Sequence, residues 1–349
     1  MTVAGPCSLL RNPTRNTTSG ASAHLFVERG DARSRSRSRF RCRLCPGAPF
    51  ATGLDLRPPG DPGVAAIEET LTSERIADGE YLSDLLANKR PDWEPGSRHG
   101  YHAFSLGWYE SELLRRTDTE GRTVGRYFAT EIAEPLDVEF YIGLPDAVPA
   151  DRIAEVVGFR PVQMLTAVGG FPWRMVLALA NPRSVTRRAL SPFDIGTPAE
   201  LNDPAYRRVE IPSGNGIGRV RDVARVYGLL AEGGGHIGID AGTFDELTGQ
   251  PDPPEGGRTD VVLKTETSYS LGYWKPWGAF EFGSPQAFGA QGAGGSFAFA
   301  DPTRELGFAY APNRMGTATL ERSPGTRAAG RRGRVYGRAV TAGSVVPGR

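Results

Sequence analysis

The chain has 349 residues, 39% of them hydrophobic, enough to bury a sizeable core in one large domain or two small ones. Its 41 basic and 40 acidic residues leave a formal charge of +1, which excludes an electrostatic case for nucleic acid or membrane binding by the molecule as a whole. The bases are nearly all arginine, with lysine only at Lys89, Lys264 and Lys275, and the three cysteines Cys7, Cys42 and Cys45 lack the regular spacing of a disulfide framework. A soluble protein of a reducing, cytoplasmic compartment is therefore expected. The best apolar run, Met175 to Ala180, is far too short to span a bilayer, and no signal-peptide pattern opens the sequence.

Residues 1–60 differ from everything after them. They are rich in proline and glycine and carry the run Arg33-Ser-Arg-Ser-Arg-Ser-Arg-Phe-Arg-Cys-Arg43. Only Ala23 to Val27 reads as a strand, suited to the edge of a sheet, and the remainder reads as disordered. The Arg-Ser run is one short tract without an aromatic platform, so it reads as solvated chain and no nucleic-acid partner is expected. Cys42-Arg-Leu-Cys45 has the spacing of half a zinc knuckle, with Cys7 and His24 as conceivable further ligands. Its setting resembles an altered reading frame more than a site, and no metal or cofactor is expected.

From about Gly63 the text becomes regular. Thr72 is placed to cap a short helix, Tyr81 to Asn88 predicts a second, and Pro91-Asp-Trp-Glu-Pro-Gly96 is a strong turn signal. An amphipathic helix follows from about Ala103 to Arg116, and another from Val124 to Glu134 that Pro135 stops. A further helix is predicted from Pro149, with Ile153, Val156 and Val157 as its stripe. Residues 203–218 read as loop, and Val220 to Glu232 as a helix ended by Gly233-Gly-Gly235. Strands are then predicted at Val261 to Leu263, Tyr269 to Trp274, Ser296 to Ala300 and Leu306 to Tyr310, the last two forming a hairpin through Asp301-Pro-Thr-Arg-Glu305. Beyond about Arg322 the chain is basic and glycine-rich. No internal repeat is present.

Two blocks carry chemistry. In Trp93-Glu-Pro-Gly-Ser-Arg-His-Gly-Tyr-His-Ala103 a tyrosine, Tyr101, lies five residues after a Pro-Gly turn and just before a helix. In Phe288-Gly-Ala-Gln-Gly-Ala-Gly-Gly-Ser-Phe-Ala-Phe-Ala-Asp-Pro302 a glycine-rich stretch leads into an alternating strand, where Gly292, Gly294 and Gly295 would let backbone approach a ligand closely. His99 and His102 flank Tyr101, but the nearest other histidine is His236, so they read as loop packing.

Together these blocks resemble the second and third motifs of the β-lactamase-like serine hydrolases, the superfamily of class C β-lactamases, penicillin-binding proteins and family VIII carboxylesterases. The resemblance extends through Gly125-Arg-Tyr-Phe, Ile132-Ala-Glu-Pro-Leu and Asn215-Gly216, and covers roughly residues 63–320. It implies an α+β, β-lactamase/transpeptidase-like fold: an antiparallel sheet with flanking helices and a helical subdomain. It also implies that Tyr101 is the family's catalytic tyrosine, that Ala290, Gln291, Gly292 and Gly294 line the substrate, and that the Ala293 backbone N–H is an oxyanion donor. The substrate would be a small-molecule ester or amide attacked through an acyl-enzyme.

The first motif of that family is Ser-x-x-Lys. None of the three lysines here has a serine three residues before it. Residues 1–60 are thus expected to be an atypical segment where the fold is incomplete, 61–325 the hydrolase domain and 326–349 a flexible tail. The second motif ends in Ala103 rather than a polar residue, and the third has Ala290-Gln291 where a cationic or aromatic residue is typical. Carboxyl esters are therefore the expected substrates rather than β-lactams, with little or no turnover. The alternative is a non-catalytic remnant with a ligand-binding cleft.

Overall fold

The computed structural model describes residues 61–158, 173–195, 197–278, 280–312 and 314–316, together with the backbone of 8–9 and 24–29. The Arg-Ser run, Cys42, Cys45 and the 326–349 tail lie outside the described residues.

The alternation in the C-terminal hairpin builds the centre of the molecule. In β8 (Phe297–Asp301) and β9 (Leu306–Ala311) the register sets Phe299 against Phe308 and Ala298 against Ala309. Successive side chains of a strand point to opposite faces, so the rings gather on one side and the alanines on the other. β7 (Phe288–Gln291) extends the sheet, and so does the hairpin of β5 (Tyr269–Ser270) and β6 (Tyr273–Trp274). With β2 (His24–Arg29) the order is β2-β9-β8-β7-β6-β5, antiparallel throughout. The predicted edge strand at 23–27 is β2, paired along all of β9.

Onto the alanine face docks a helix, α8 (Val220–Ala231), through Ala224, Tyr227, Leu230 and Ala231. The approach is close enough that a Cβ at Gly307 would lie 2.2 Å from the Ala224 carbonyl oxygen and 2.3 Å from the Gly228 nitrogen. Both neighbours are backbone and cannot step aside.

The remaining helices begin where the sequence supplies caps. Thr72 accepts the Arg75 N–H at the start of α1 (Ser73–Ala77), and Asp78 the Tyr81 N–H at the start of α2 (Gly79–Ala87). α3 (Ser105–Thr117) buries Trp108 and Tyr109 against Phe193 and Ile211. α4 (Val124–Phe128) continues as a π-helical turn, Ala129–Ala133. A small second sheet joins β1 (Ser8–Leu9), β3 (Phe140–Tyr141) and β4 (Ile217–Gly218) in the order β1-β4-β3. Then come α5 (Trp173–Ala180), α6 (Val185–Leu190), α7 (Pro204–Arg208) and α9 (Ala241–Thr248).

Four expectations are corrected. The helix from Pro149 is a single 3-10 turn, Ala150–Arg152, followed by extended chain. Ile153 there packs beside Ile217, and the Asn202 amide holds both backbone groups of Val156, which a helix would have needed. Within the 203–218 loop, Asp203 and Pro204 nucleate α7. Val261 to Leu263 is a turn, because Asp260 Oδ1 accepts the N–H groups of Val262 and Leu263, both at 2.7 Å. The single strand at Tyr269 to Trp274 is folded back on itself by Leu271 and Gly272, at φ 45° and 79°.

Lys275 is wholly buried. Its Nζ donates to the carbonyls of Leu247 (2.8 Å), Thr248 (3.2 Å) and Gln286 (3.1 Å), closing the C-terminus of α9. Burial pulls its pKa from 10.5 to about 8.

Two stability predictions follow from these contacts. Gly307→Ala is expected to cost about 1–3 kcal/mol, read as a lower urea midpoint at unchanged slope; an unchanged midpoint would rule out the close α8–β9 contact. Between pH 8 and pH 10 the unfolded chain holds a proton on Lys275 that the folded chain has shed, so stability rises with pH across that window. The slope is at most about 1.4 kcal/mol per pH unit, is absent below pH 8 and is opposed above pH 10 by the buried tyrosines. Lys275→Met should flatten it.

Candidate active site

Tyr101 lies in the loop between the Pro91–Gly96 turn and α3. Its ring centre is 5.5 Å from that of Trp274, and it packs against the aromatic cluster of Phe297, Phe299 and Phe308. A buried carboxylate fixes this loop. Asp260 accepts the Tyr269 hydroxyl at 2.9 Å, the Thr267 hydroxyl at 3.4 Å and the two N–H groups of its own turn. Around it, the Val261 N–H donates to the His99 carbonyl at 3.0 Å, and His99 Nε2 lies 3.0 Å from Thr267 Oγ1 and 3.1 Å from the Arg258 carbonyl. The His99 ring meets that of Tyr269 edge-on. His102 turns Nδ1 to the Gly100 carbonyl, at 2.8 Å. His99 is thus committed to the 258–269 segment, while His102 Nε2 is buried without a hydrogen-bond partner among the described residues, 3.9 Å from Asp61 Oδ1.

Burial raises the Asp260 carboxyl above the usual aspartate value, against the pull of the Leu263 N–H, the His99 ring and the Tyr269 hydroxyl. Desolvation pushes the Tyr101 phenol well above the usual tyrosine value, and the Asp260 charge pushes it further. Lys89 pairs with Glu68 and Asp92, Lys275 is held by the three carbonyls, and neither these nor Lys264 is among the charges acting on the Tyr101 phenol.

The glycine-rich block lies one strand away. Trp274 is paired with Gly289, and Gln291 with Phe297. By the two-residue repeat of a strand, Gln291 shares the face of Trp274, Phe297 and Tyr101. Ala290 is opposite Ala298 and turns to the α8 side, where it lines a cavity of about 30 Å³ with Val220, Val223 and Ser296. That volume holds about one water. Gly292 opens a 3-10 turn, Ala293–Gly295, in which Gly294 has φ 80° and its carbonyl accepts the Gly316 N–H at 2.8 Å. Gln291 is 3% exposed, and its amide nitrogen has no acceptor among the described residues. Trp277 stacks on Trp274, centres 5.6 Å apart and planes 22° apart, so the chain's own rings pave the face beside Tyr101. A larger groove of about 530 Å³, lined by Glu68, Glu69, Tyr81, Asp84, Lys89 and Arg90, involves none of these residues.

Sequence reasoning missed Asp260, Thr267 and Tyr269. The available signal was Thr259-Asp260 directly after the Gly256-Gly257 turn, where an aspartate can capture the N–H groups two and three residues on.

Residues 51–330 match the profile of the protein family described as Beta-lactamase. The chain belongs to the β-lactamase family. A family VIII carboxylesterase of known structure is 30% identical, with TM-score 0.62, over 78% of this chain and 69% of that one. A penicillin-binding protein homologue from Caulobacter crescentus is 31% identical, with TM-score 0.59, over 76% and 66%. The esterase/β-lactamase LipL of Mycobacterium tuberculosis (strain ATCC 25618 / H37Rv) is 29% identical over 246 residues, 70% of this chain and 54% of that protein, so the chain spans about half its length. The α+β, β-lactamase-like architecture expected from the two blocks is therefore established.

Asp260→Ala would orphan four buried donors and is expected to destabilise the β-lactamase-family fold by about 2–4 kcal/mol, whereas Tyr269→Phe, which removes one donor, should cost about 1 kcal/mol. Chemical denaturation of both variants tests this; equal losses would contradict the account of Asp260 as the shared acceptor.

Proposed function

We propose that this member of the β-lactamase family is esterase-like, that its ligands are carboxyl esters or amides held between Tyr101 and the Gln291–Gly294 turn, and that it hydrolyses them slowly or not at all. The likeness to a family VIII carboxylesterase and to an esterase/β-lactamase supports the substrate class. One observation carries the reading of low turnover: the Tyr101 phenol stands in the field of a carboxyl, Asp260, and beside no ammonium. A phenol that relays a proton must ionise near neutral pH, which requires a cation close by. The 349 residues also hold no Ser-x-x-Lys.

In this reading Gln291 and the backbone of the 292–294 turn bind the acyl group and Tyr101 contributes shape rather than proton transfer. Purified protein is expected to give no stoichiometric labelling with a fluorophosphonate and no turnover of p-nitrophenyl butyrate above background, with Tyr101→Phe unchanged from wild type. Short-chain esters should nonetheless raise the melting temperature by mass action. Stoichiometric labelling or sustained turnover would overturn the reading of low activity, and absence of any thermal shift would overturn the ligand cleft.

A further inference from the structure

The residues between Glu155 and Asp194 include no aspartate and no glutamate, and their charge rests on Arg160, Arg174, Arg183, Arg187 and Arg188. For a protein with as many acids as bases, a stretch of this length with one sign of charge is a local departure. Within it, α5 leaves three large apolar side chains in solvent: Trp173 is 67% exposed, Val176 50% and Leu177 61%. Their i, i+3, i+4 spacing puts them on one stripe of the helix. Met175 points the other way, into the cluster of Phe297, Phe299 and Phe308, and so holds the helix with its stripe outward.

One charge lies against the stripe, and the others follow it within fourteen residues of chain. The Arg174 guanidinium lies 5.5 Å from the centre of the Trp173 ring. Arg174, Arg183 and Arg187 are exposed and have no acidic partner among the described residues, while Arg188 pairs with Glu68. A second copy of the chain docked here about a two-fold axis would bring arginine against arginine. A tryptophan-bearing apolar stripe on a segment whose exposed charges are all arginines instead complements a surface that is oily within and anionic at its rim. No helix of the described residues is long and apolar enough to cross a membrane.

We propose that α5, the loop after it and the first turn of α6 form a peripheral docking surface for anionic lipid, with Trp173, Val176 and Leu177 seated among the acyl chains and Arg174, Arg183 and Arg187 on the phosphates. This surface is independent of the ester cleft and acts whether or not the chain hydrolyses anything.

Flotation of the full chain with vesicles of equimolar phosphatidylcholine and phosphatidylglycerol, against vesicles of phosphatidylcholine alone, tests it. Binding is expected on the anionic vesicles, at least about tenfold weaker on the neutral ones and weaker again at high salt, with each of Arg174→Gln, Arg183→Gln and Arg187→Gln costing about fivefold. The triple variant Trp173→Ser, Val176→Ser, Leu177→Ser should lose binding while keeping the wild-type circular dichroism, since all three side chains are already in solvent. Equal affinity for both vesicles, or anionic binding unaffected by the triple variant, would overturn the proposal. So would a dimer, seen by light scattering, that the triple variant dissolves.

Discussion

The separation of large from small side chains across β8 and β9 is the constraint on which the rest of the molecule is built. Alanines and Gly307 on one face let α8 settle backbone to backbone, so the helix is positioned by closeness of approach. Phenylalanines on the other face form a continuous aromatic floor with Trp274, Phe280 and Phe282. Each buried ring removes a large apolar area from water, and edge-to-face contacts add to that. Exchanging the two residue classes at any one position would harm both sides at once, by a clash under the helix and a void in the floor.

Asp260 holds the Tyr101 loop on that floor. Its carboxylate gathers donors from its own turn, from Thr267 and from β5, and the Val261 N–H of that turn donates to the His99 carbonyl in the 99–101 loop. Burying a carboxylate is costly unless it is fully hydrogen-bonded, and here both oxygens are used. The same interaction that positions the tyrosine surrounds it with negative rather than positive potential. Position and reactivity are thus separable in this loop, and the proposed loss of turnover rests on that separation.

The parts of the fold that were legible in the sequence share a local cause. Thr72 caps its helix, Pro135 stops another, and Phe297-Ala-Phe-Ala alternates so strictly that its strand could be read directly. Where a distant partner decides the backbone, the local pattern misleads. Ile153, Val156 and Val157 fit a helical stripe equally well, yet Asn202, remote in sequence, claims the Val156 amide. Val261 to Leu263 has strand composition, yet one carboxylate bends it into a turn. At the candidate site the two blocks were visible, and the register puts Gln291 on the Tyr101 side. The acidic centre beneath them was missed, because Thr259-Asp260 signals a local turn and nothing in that pattern says that Thr267 and Tyr269 will converge on the same carboxylate.

The pairing of β2 with β9 sets the order in which the protein can be born. His24 is matched with Ala311, so the first strand of the large sheet leaves the ribosome long before its partner is made. Until then its hydrogen-bonding edge has no native neighbour, and closing so large a loop adds an entropic delay. The hairpins of β5 to β9 and the docking of α8 can form from one contiguous stretch, and β2 joins an already assembled sheet. Until β9 is made, that unpaired edge is the place where the nascent chain is most exposed to wrong pairing.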